Sequence, residues 1–279
     1  MILLDGIQTS NVIASKLLSI TTKKKLKLSV ILVGDNPSSV IYVNAKKKKC
    51  VSLGVDCEIL NFDNKTSEEK ILNKIKALNK DISVTGILVQ LPLPKSIGTR
   101  KILDSVDINK DVDGLNSFHL TKTLFNEERV VPCTPKGVIS LLEAYNILLK
   151  SKKVTIVGFS DVVGKPLSLM CINRGATITV CNSKTQNLSE STLRADIIMS
   201  ATGIPHIIKK EHVKQGAVVI DIGSSKIDGK ITGDVDFENV KGICSYITPV
   251  PGGVGPMTII SLVENLILLD ELQKKANSK

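Results

Sequence analysis

Short runs of β-branched and other apolar residues recur along the chain, separated by longer segments with helical spacing. In the first half they read LSVILVG (28–34), VDCEILNF (55–62) and TGILVQ (85–90). In the second half they read VTIVG (154–158), ATITVCN (176–182), ADIIMSA (195–201) and AVVIDIG (217–223). Near-continuous apolar strands alternating with helices predict parallel sheets covered by helices, an α/β fold. Residues 110–135 interrupt the series: they are polar, contain proline and lack a strong period. That stretch is the expected crossover between two α/β domains. The chain closes on an apolar-periodic helix over 259–272, patterned for packing but silent about which domain it packs on.

The segment after the first long strand holds the most unusual composition, YVNAKKKKC (42–50). Asn36-Pro37-Ser38 is a good helix start and Gly54 a good stop. On that helix Ser39, Tyr42, Lys46, Lys49 or Cys50, and Leu53 share one face. The four lysines are therefore not equivalent, because Lys46 stacks one turn beyond Tyr42 while Lys47 and Lys48 point elsewhere. Two readings stand side by side here: a wholly solvated lysine run, or cover for one lysine with a task.

Other candidates fall at strand ends and loops. TGILVQ ends in Gln90 before Leu91-Pro92-Leu93-Pro94, which puts an amide at the carboxyl end of a parallel strand, where α/β proteins bind ligands; a solvated amide before a proline turn is the alternative. KDVDG supplies Asp111 and Asp113 ahead of Gly114, as a binding loop or as a loop with a capping aspartate. In ITPVPGGVGPMT, Gly252, Gly253 and Gly255 between prolines make a stiff loop without side chains, open to a ligand or serving as a hinge.

VTIVGFSDVVGKPLSLMCINRG reads as strand, glycine turn and helix. Gly158, Ser160 and Gly164 depart from the usual dinucleotide spacing by one residue type and one position, yet the physics holds. Gly158 permits the tight turn, the Ser160 hydroxyl can donate to a phosphate, and helix-start amides complement negative charge. A plain strand-to-helix turn competes with that reading. About 20 residues further on, an NAD site places an acid for the adenine ribose. Here Cys181-Asn182-Ser183-Lys184 offers none, and Ser183 with Lys184 can bind a 2′-phosphate, which favours NADP.

Composition removes several classes. The chain has 279 residues, 42% apolar and 23% charged, which is folded-protein composition with length for two domains. No run approaches the roughly 18 apolar residues of a membrane span. The start, with Asp5 and Gly6 and neither a basic lead nor a small-residue cleavage site, is not read as a signal peptide, so the expected compartment is the cytoplasm. Six scattered cysteines and three histidines, without a C-x-x-C, argue against a metal site or a disulfide framework. A net charge of +10 invites a nucleic-acid reading, but the lysines are spread out and only three Tyr, five Phe and no Trp are available for stacking.

Taken in order, YVNAK, VQLPLP, KDVDG, PCTP, GFSDVVGKP, DIG and TPVPGGVGPMT closely resemble the bifunctional methylenetetrahydrofolate dehydrogenase/cyclohydrolase family, over essentially the whole chain. The resemblance implies two α/β domains: an N-terminal folate-binding catalytic domain, residues 1–120 completed by the helix 258–279, and a Rossmann-like NADP-binding domain, 121–257, with the folate cleft between them. It implies a homodimer that oxidises 5,10-methylenetetrahydrofolate with NADP and hydrolyses the methenyl product to 10-formyltetrahydrofolate. Lys46 matches the family's catalytic lysine, Tyr42 the tyrosine one turn before it and Gln90 the glutamine bonded to the lysine. Asp113 matches the aspartate that holds the pterin, with Ser39, Pro251, Gly252 and Gly253 beside the folate. Gly158, Phe159, Ser160, Gly164, Ser183, Lys184 and Ser224 fall where the family contacts the dinucleotide. Phe159 stands where many members have arginine, and Ser224-Ser225-Lys226 replaces a commoner apolar-Asn-Arg. The rivals are a monofunctional dehydrogenase, a folate binder without catalysis and a basic nucleic-acid-binding protein.

Overall fold

A computed structural model describes residues 1–227 and 229–277. It resolves into two compact units, one built from Val12–Cys133 with the C-terminal segment from Ile259, the other from Met1–Asn11 with Thr134–Thr258. In chain order the strands are β1 (Ile2–Leu3), β2 (Lys27–Val33), β3 (Asp56–Phe62), β4 (Gly86–Val89), β5 (Lys153–Val157), β6 (Thr177–Cys181), β7 (Ile197–Ser200), β8 (Val218–Asp221), β9 (Ser225–Ile227), β10 (Lys230–Thr232) and β11 (Tyr246–Ile247). The seven strands expected from the apolar runs are β2 to β8, each within one or two residues of its expected ends.

The first unit holds a parallel sheet of order β3-β2-β4. Strand β2 is buried from Leu28 to Val33 and β4 throughout, as continuous apolar runs between covering helices require. The outer edge of β4 is extended by the loop at 110–112, where the Ile87 amide donates to the Lys110 carbonyl at 2.7 Å. Helix Pro37–Ser52 follows β2; Asn36 Oδ1 accepts from the amides of Ser38 and Ser39 at 3.0 and 3.2 Å, with proline at the first helical position.

The C-terminal helix runs over Val254–Asn277, longer at both ends than its apolar period predicts. From Ile259 onward it belongs to this first unit. Asn265 Nδ2 donates to the carbonyls of Val112 and Val131 at 3.0 and 2.9 Å, and Gln273 Nε2 to those of Thr85 and Asn109 at 2.8 and 2.6 Å. A Cβ on Gly86 would sit 2.6 Å from Leu266 Cδ1, so the helix lies directly against β4.

The second unit is a six-stranded sheet of order β1-β11-β8-β7-β5-β6, every pairing parallel. Its order reverses between β5 and β7, the kind of switch point where doubly wound sheets bind ligands at their carboxyl ends. Strands β1 and β11 escape the apolar pattern because each is two residues long. They draw Met1–Asn11 into this unit, whereas the sequence reading grouped residues 1–120; the Leu4 amide donates to the Ile247 carbonyl at 2.8 Å. Conversely residues 121–133 stay with the first unit, so the division falls between Cys133 and Thr134, inside the stretch that lacked a period. Among the described residues no helix is long and apolar enough to cross a membrane, and no cluster of His, Cys, Asp or Glu could hold a metal ion.

Candidate functional site

In the first unit the lysine run resolves by helical phase. Helix Pro37–Ser52 buries Ser39, Val43, Lys46 and Cys50. Lys46 is only 8% exposed, whereas Lys47 and Lys48 are exposed. The shared face is thus narrower than expected: Tyr42 lies at its edge, 38% exposed, with Val43 taking the buried place. Lys46 Nζ donates to Gln90 Oε1 at 3.0 Å. Gln90 sits just past β4, its backbone amide bonded to the Ile31 carbonyl at 2.9 Å, and its Nε2 donates to Leu91 O at 2.7 Å. With the amide nitrogen committed, Oε1 is the atom left to face the lysine.

The two aspartates of KDVDG separate into different tasks. Asp111 is buried and braces the loop, accepting from the amides of Gly114 at 3.1 Å and Asn116 at 2.7 Å. Burial pushes its carboxyl up to about 7 against the pull of the Asn116 amide, and the neighbouring charge of Asp113 adds to the rise. Asp113 is half-buried, held by a loop that Asp111 shapes. Lys110 is a further buried lysine with a structural task, its Nζ donating to the carbonyls of Leu78 and Asp81 at 2.9 and 2.7 Å.

In the second unit β5 runs into the glycine turn. Gly158 has φ +103°, and a Cβ there would lie 2.4 Å from the Ala201 carbonyl oxygen. Gly164, the first residue of helix Gly164–Asn173, is buried beneath the turn, where a Cβ would meet the Gly158 oxygen at 2.0 Å. Ser160 Oγ accepts from the Val163 amide at 3.2 Å, shaping the approach to the helix start. The turn opens on a cavity of about 890 Å³ lined by Gly158, Phe159, Ser160 and Ser183, among others. Its further walls come from the ends of β6 and β7 and include no Asp or Glu. Lys184 and Ser224 are exposed and lie outside the lining, and the Phe159 ring sits under Lys165 Nζ at 5.5 Å.

The sequence reading missed the buried acids behind this cavity. Asp234 Oδ2 accepts from Ser200 Oγ at 2.8 Å, the Thr202 amide at 2.6 Å and Thr202 Oγ1 at 2.8 Å, so it holds the segment leaving β7 that forms one cavity wall. Asp221, at the end of β8, accepts from the amides of Gly223, Asp234 and Val235 at 3.1, 2.9 and 2.9 Å. Burial, with Asp234 nearby, pushes its carboxyl up to about 7. The only trace in the sequence is an acid ending an apolar strand and GDVD further on, which reads equally well as turn polarity.

The glycine-rich loop belongs to the second unit, apart from Lys46, Gln90 and Asp113. The Ile7 amide donates to Gly252 O at 3.1 Å, and a Cβ on Gly253 would meet Pro249 O at 2.6 Å. A Cβ on Gly6 would lie 1.8 Å from Gly253 O. Close backbone approach to the N-terminal segment therefore accounts for part of the glycine requirement, while Pro251 stays exposed.

A parallel sheet that reverses order beside a glycine turn and an acid-free cavity defines a dinucleotide-binding α/β protein, and the other unit adds a buried lysine aimed by an amide. Residues 4–113 match the catalytic domain of tetrahydrofolate dehydrogenase/cyclohydrolase, and residues 132–274 match its NAD(P)-binding domain. The chain belongs to the tetrahydrofolate dehydrogenase/cyclohydrolase family. It is 49% identical over 256 residues to the bifunctional protein FolD of Mycoplasma mycoides, covering 91% of this chain and 89% of that one. Among solved structures it is similar to the bifunctional FolD of Campylobacter jejuni, with TM-score 0.94 and 43% identity over 98% of this chain and 99% of that one. The FolD of Trypanosoma brucei, solved with NADP cofactor and an inhibitor, superposes with TM-score 0.94 at 29% identity over 98% of both chains.

Proposed function

We propose that this chain is a bifunctional folate enzyme that oxidises 5,10-methylenetetrahydrofolate to the methenyl cation with NADP, and then hydrolyses the cation to 10-formyltetrahydrofolate with Lys46 as the proton acceptor. The observation that carries the assignment of Lys46 is its burial together with its 3.0 Å bond to Gln90. Water adding to the methenyl carbon must lose a proton, and an unprotonated amine accepts it. Gln90, with its own nitrogen tied to Leu91, fixes where that amine points. Tyr42 and Ser39 flank Lys46 on the helix, and Asp113 takes the pterin from the loop braced by Asp111.

The second unit fits a dinucleotide: Gly158 permits close backbone approach, the first turn of helix Gly164–Asn173 follows it, and the cavity offers no carboxylate to repel phosphate. When bound, the dinucleotide supplies the hydride acceptor. This chain's residues contribute position for that step, with Gly158, Ser160 and Ser183 on the cavity and Gly164 beneath the turn. Phe159 in the lining, with Lys184 and Ser224 outside it, tunes affinity. NADP is the preferred cofactor, supported by the missing acid after β6 and by the NADP bound in the trypanosomal relative.

A coupled assay with methylenetetrahydrofolate, run with NADP and then NAD, tests both statements. Turnover with kcat/KM higher for NADP is expected; a ratio favouring NAD rejects the cofactor assignment, and ligand binding without turnover rejects the enzyme. The chain acts as a homodimer, for which light scattering should give about twice its 30.1 kDa.

A further inference from the structure

The segment leaving β7 contributes Ala201, Thr202, Ile204 and His206 to the lining of the dinucleotide cavity. It lies beyond the end of the strand, so its shape depends on bonds made outside the β7 ladder. Those bonds converge on a short strip, Gly233 to Asp236. The carbonyls of Gly233 and Asp234 accept from the amides of His206 and Ile208 at 3.3 and 3.0 Å, and the Asp236 amide donates to Ile208 O at 2.8 Å. Nearer the strand, Asp234 Oδ2 alone takes three donors: the Ser200 hydroxyl, the Thr202 amide and the Thr202 hydroxyl.

These donors flank Ala201, the residue that meets the glycine turn. Its amide donates to the Val157 carbonyl at 2.8 Å, and its own carbonyl oxygen is the atom that a Cβ on Gly158 would strike. Any shift of Ala201 therefore changes the space at the turn. The strip is itself clamped, because the amides of Asp234 and Val235 donate to Asp221 and a Cβ on Gly233 would lie 1.9 Å from Asp221 Oδ2. Asp221 accepts bonds through both carboxylate oxygens. Asp234 does not: it is fully buried, and among the described residues its Oδ1 has no hydrogen-bond partner. A bare buried acceptor costs desolvation without return, so stability alone favours a carboxylate satisfied on both sides, as Asp221 is. Asp234 instead concentrates its bonds on the cavity wall.

We propose that Asp234 is a positioning residue for the dehydrogenase reaction: acting through Ser200 and Thr202, it fixes Ala201 beside Gly158 and so sets the geometry in which the dinucleotide binds. This inference rests on the dinucleotide reading above, and the test separates the two. Neither Asp234 nor Ser200 lines the cavity, so substituting them alters the wall from behind. Asp234→Asn keeps the shape and removes the charge that strengthens the three bonds. Ser200→Ala removes one donor and decides the matter if Asp234→Asn does not fold. Glu238→Gln, at an exposed carboxylate paired with Lys241, is the control.

Each full-length variant is assayed for dehydrogenation with NADP and for methenyltetrahydrofolate hydrolysis, and is titrated calorimetrically with NADP. Asp234→Asn should raise KM and Kd for NADP about tenfold while kcat changes by less than about threefold. Ser200→Ala should move both constants in the same direction by less, and the double variant should match Asp234→Asn, since Ser200 acts through Asp234. Hydrolysis, assigned to Lys46 in the other unit, should be spared by comparison, and Glu238→Gln should match the wild type throughout. A folded Asp234→Asn with wild-type affinity for NADP overturns the proposal, as does equal loss of both activities, the mark of general damage. Unchanged affinity in Ser200→Ala overturns it where Asp234→Asn does not fold. A wild type that binds no NADP overturns the dinucleotide reading itself.

Discussion

Lys46 and Gln90 are 44 positions apart in the chain, and Lys46 Nζ donates to Gln90 Oε1 at 3.0 Å. One residue rides on the helix after β2 and the other follows β4, the strand paired with β2, so the parallel pairing itself brings them together. Lys46→Met keeps the aliphatic stem and removes only the amine. Methenyltetrahydrofolate hydrolysis should fall at least about a hundredfold while substantial dehydrogenase activity survives. Equal loss of both activities in a variant with wild-type circular dichroism would sink the role given to Lys46.

Gly158 sets a second expectation. A side chain there meets both a φ of +103° and the Ala201 carbonyl oxygen at 2.4 Å. Gly158→Ala should lose about 2 kcal/mol or more of stability in denaturant titration and bind the dinucleotide more weakly. Unchanged affinity in the alanine variant would mean that the turn does not approach the ligand.

The buried carboxyls of Asp111 and Asp221 predict a pH dependence of stability. Both are pushed up to about 7 in the folded state, against about 4 in an unfolded chain. Between those values the folded state holds protons that the unfolded chain has released, so stability falls as pH rises from about 4 through 7. Carboxylates held low by partners, such as Glu58 and Asp196, act in the opposite sense and below that window. Thermal midpoints should therefore drop between pH 5.5 and pH 8. Asp221→Asn is less stable at every pH, because an amide nitrogen cannot accept the backbone bonds, but its midpoint should vary less with pH. An equally steep slope in that variant would remove Asp221 as a source.

Asn265 ties the C-terminal helix to two loop carbonyls from one nitrogen. Asn265→Leu keeps the volume and removes the amide donor from both carbonyls, leaving Val112 O only the weak Cys133 thiol donor at 3.4 Å, so it should cost about 2 kcal/mol in chemical denaturation. A smaller loss than for an exposed substitution such as Lys275→Leu would show that the helix docks by apolar contact alone.

Much of this molecule is legible residue by residue. Strands β2 to β8 announce themselves because a strand covered on both faces must be apolar along its length. Helical phase singles out Lys46 from Lys47 and Lys48, since a period of 3.6 residues turns adjacent side chains about 100° apart. Phase alone leaves Tyr42 and Val43 unresolved, because both lie near the same stripe and only packing decides which goes under. The Gly158 turn is visible as a missing side chain, although its reason, the Ala201 carbonyl, lies 43 residues away.

What the linear pattern determined was the alternation of strands and helices, which lysine shares a helix face with Tyr42 and the absence of an acid after β6. These are local properties, set by periodicity and by residue type at a strand end. Only the tertiary structure decided that Met1–Asn11 joins the six-stranded sheet, that Asp111 braces while Asp113 remains half-buried, and that Asp221 and Asp234 stand behind the cavity. It also brought Ser200 and Thr202 onto one oxygen of Asp234. Each of these depends on partners distant in sequence, and a carboxylate acquires its role from burial and from the groups that meet it in space.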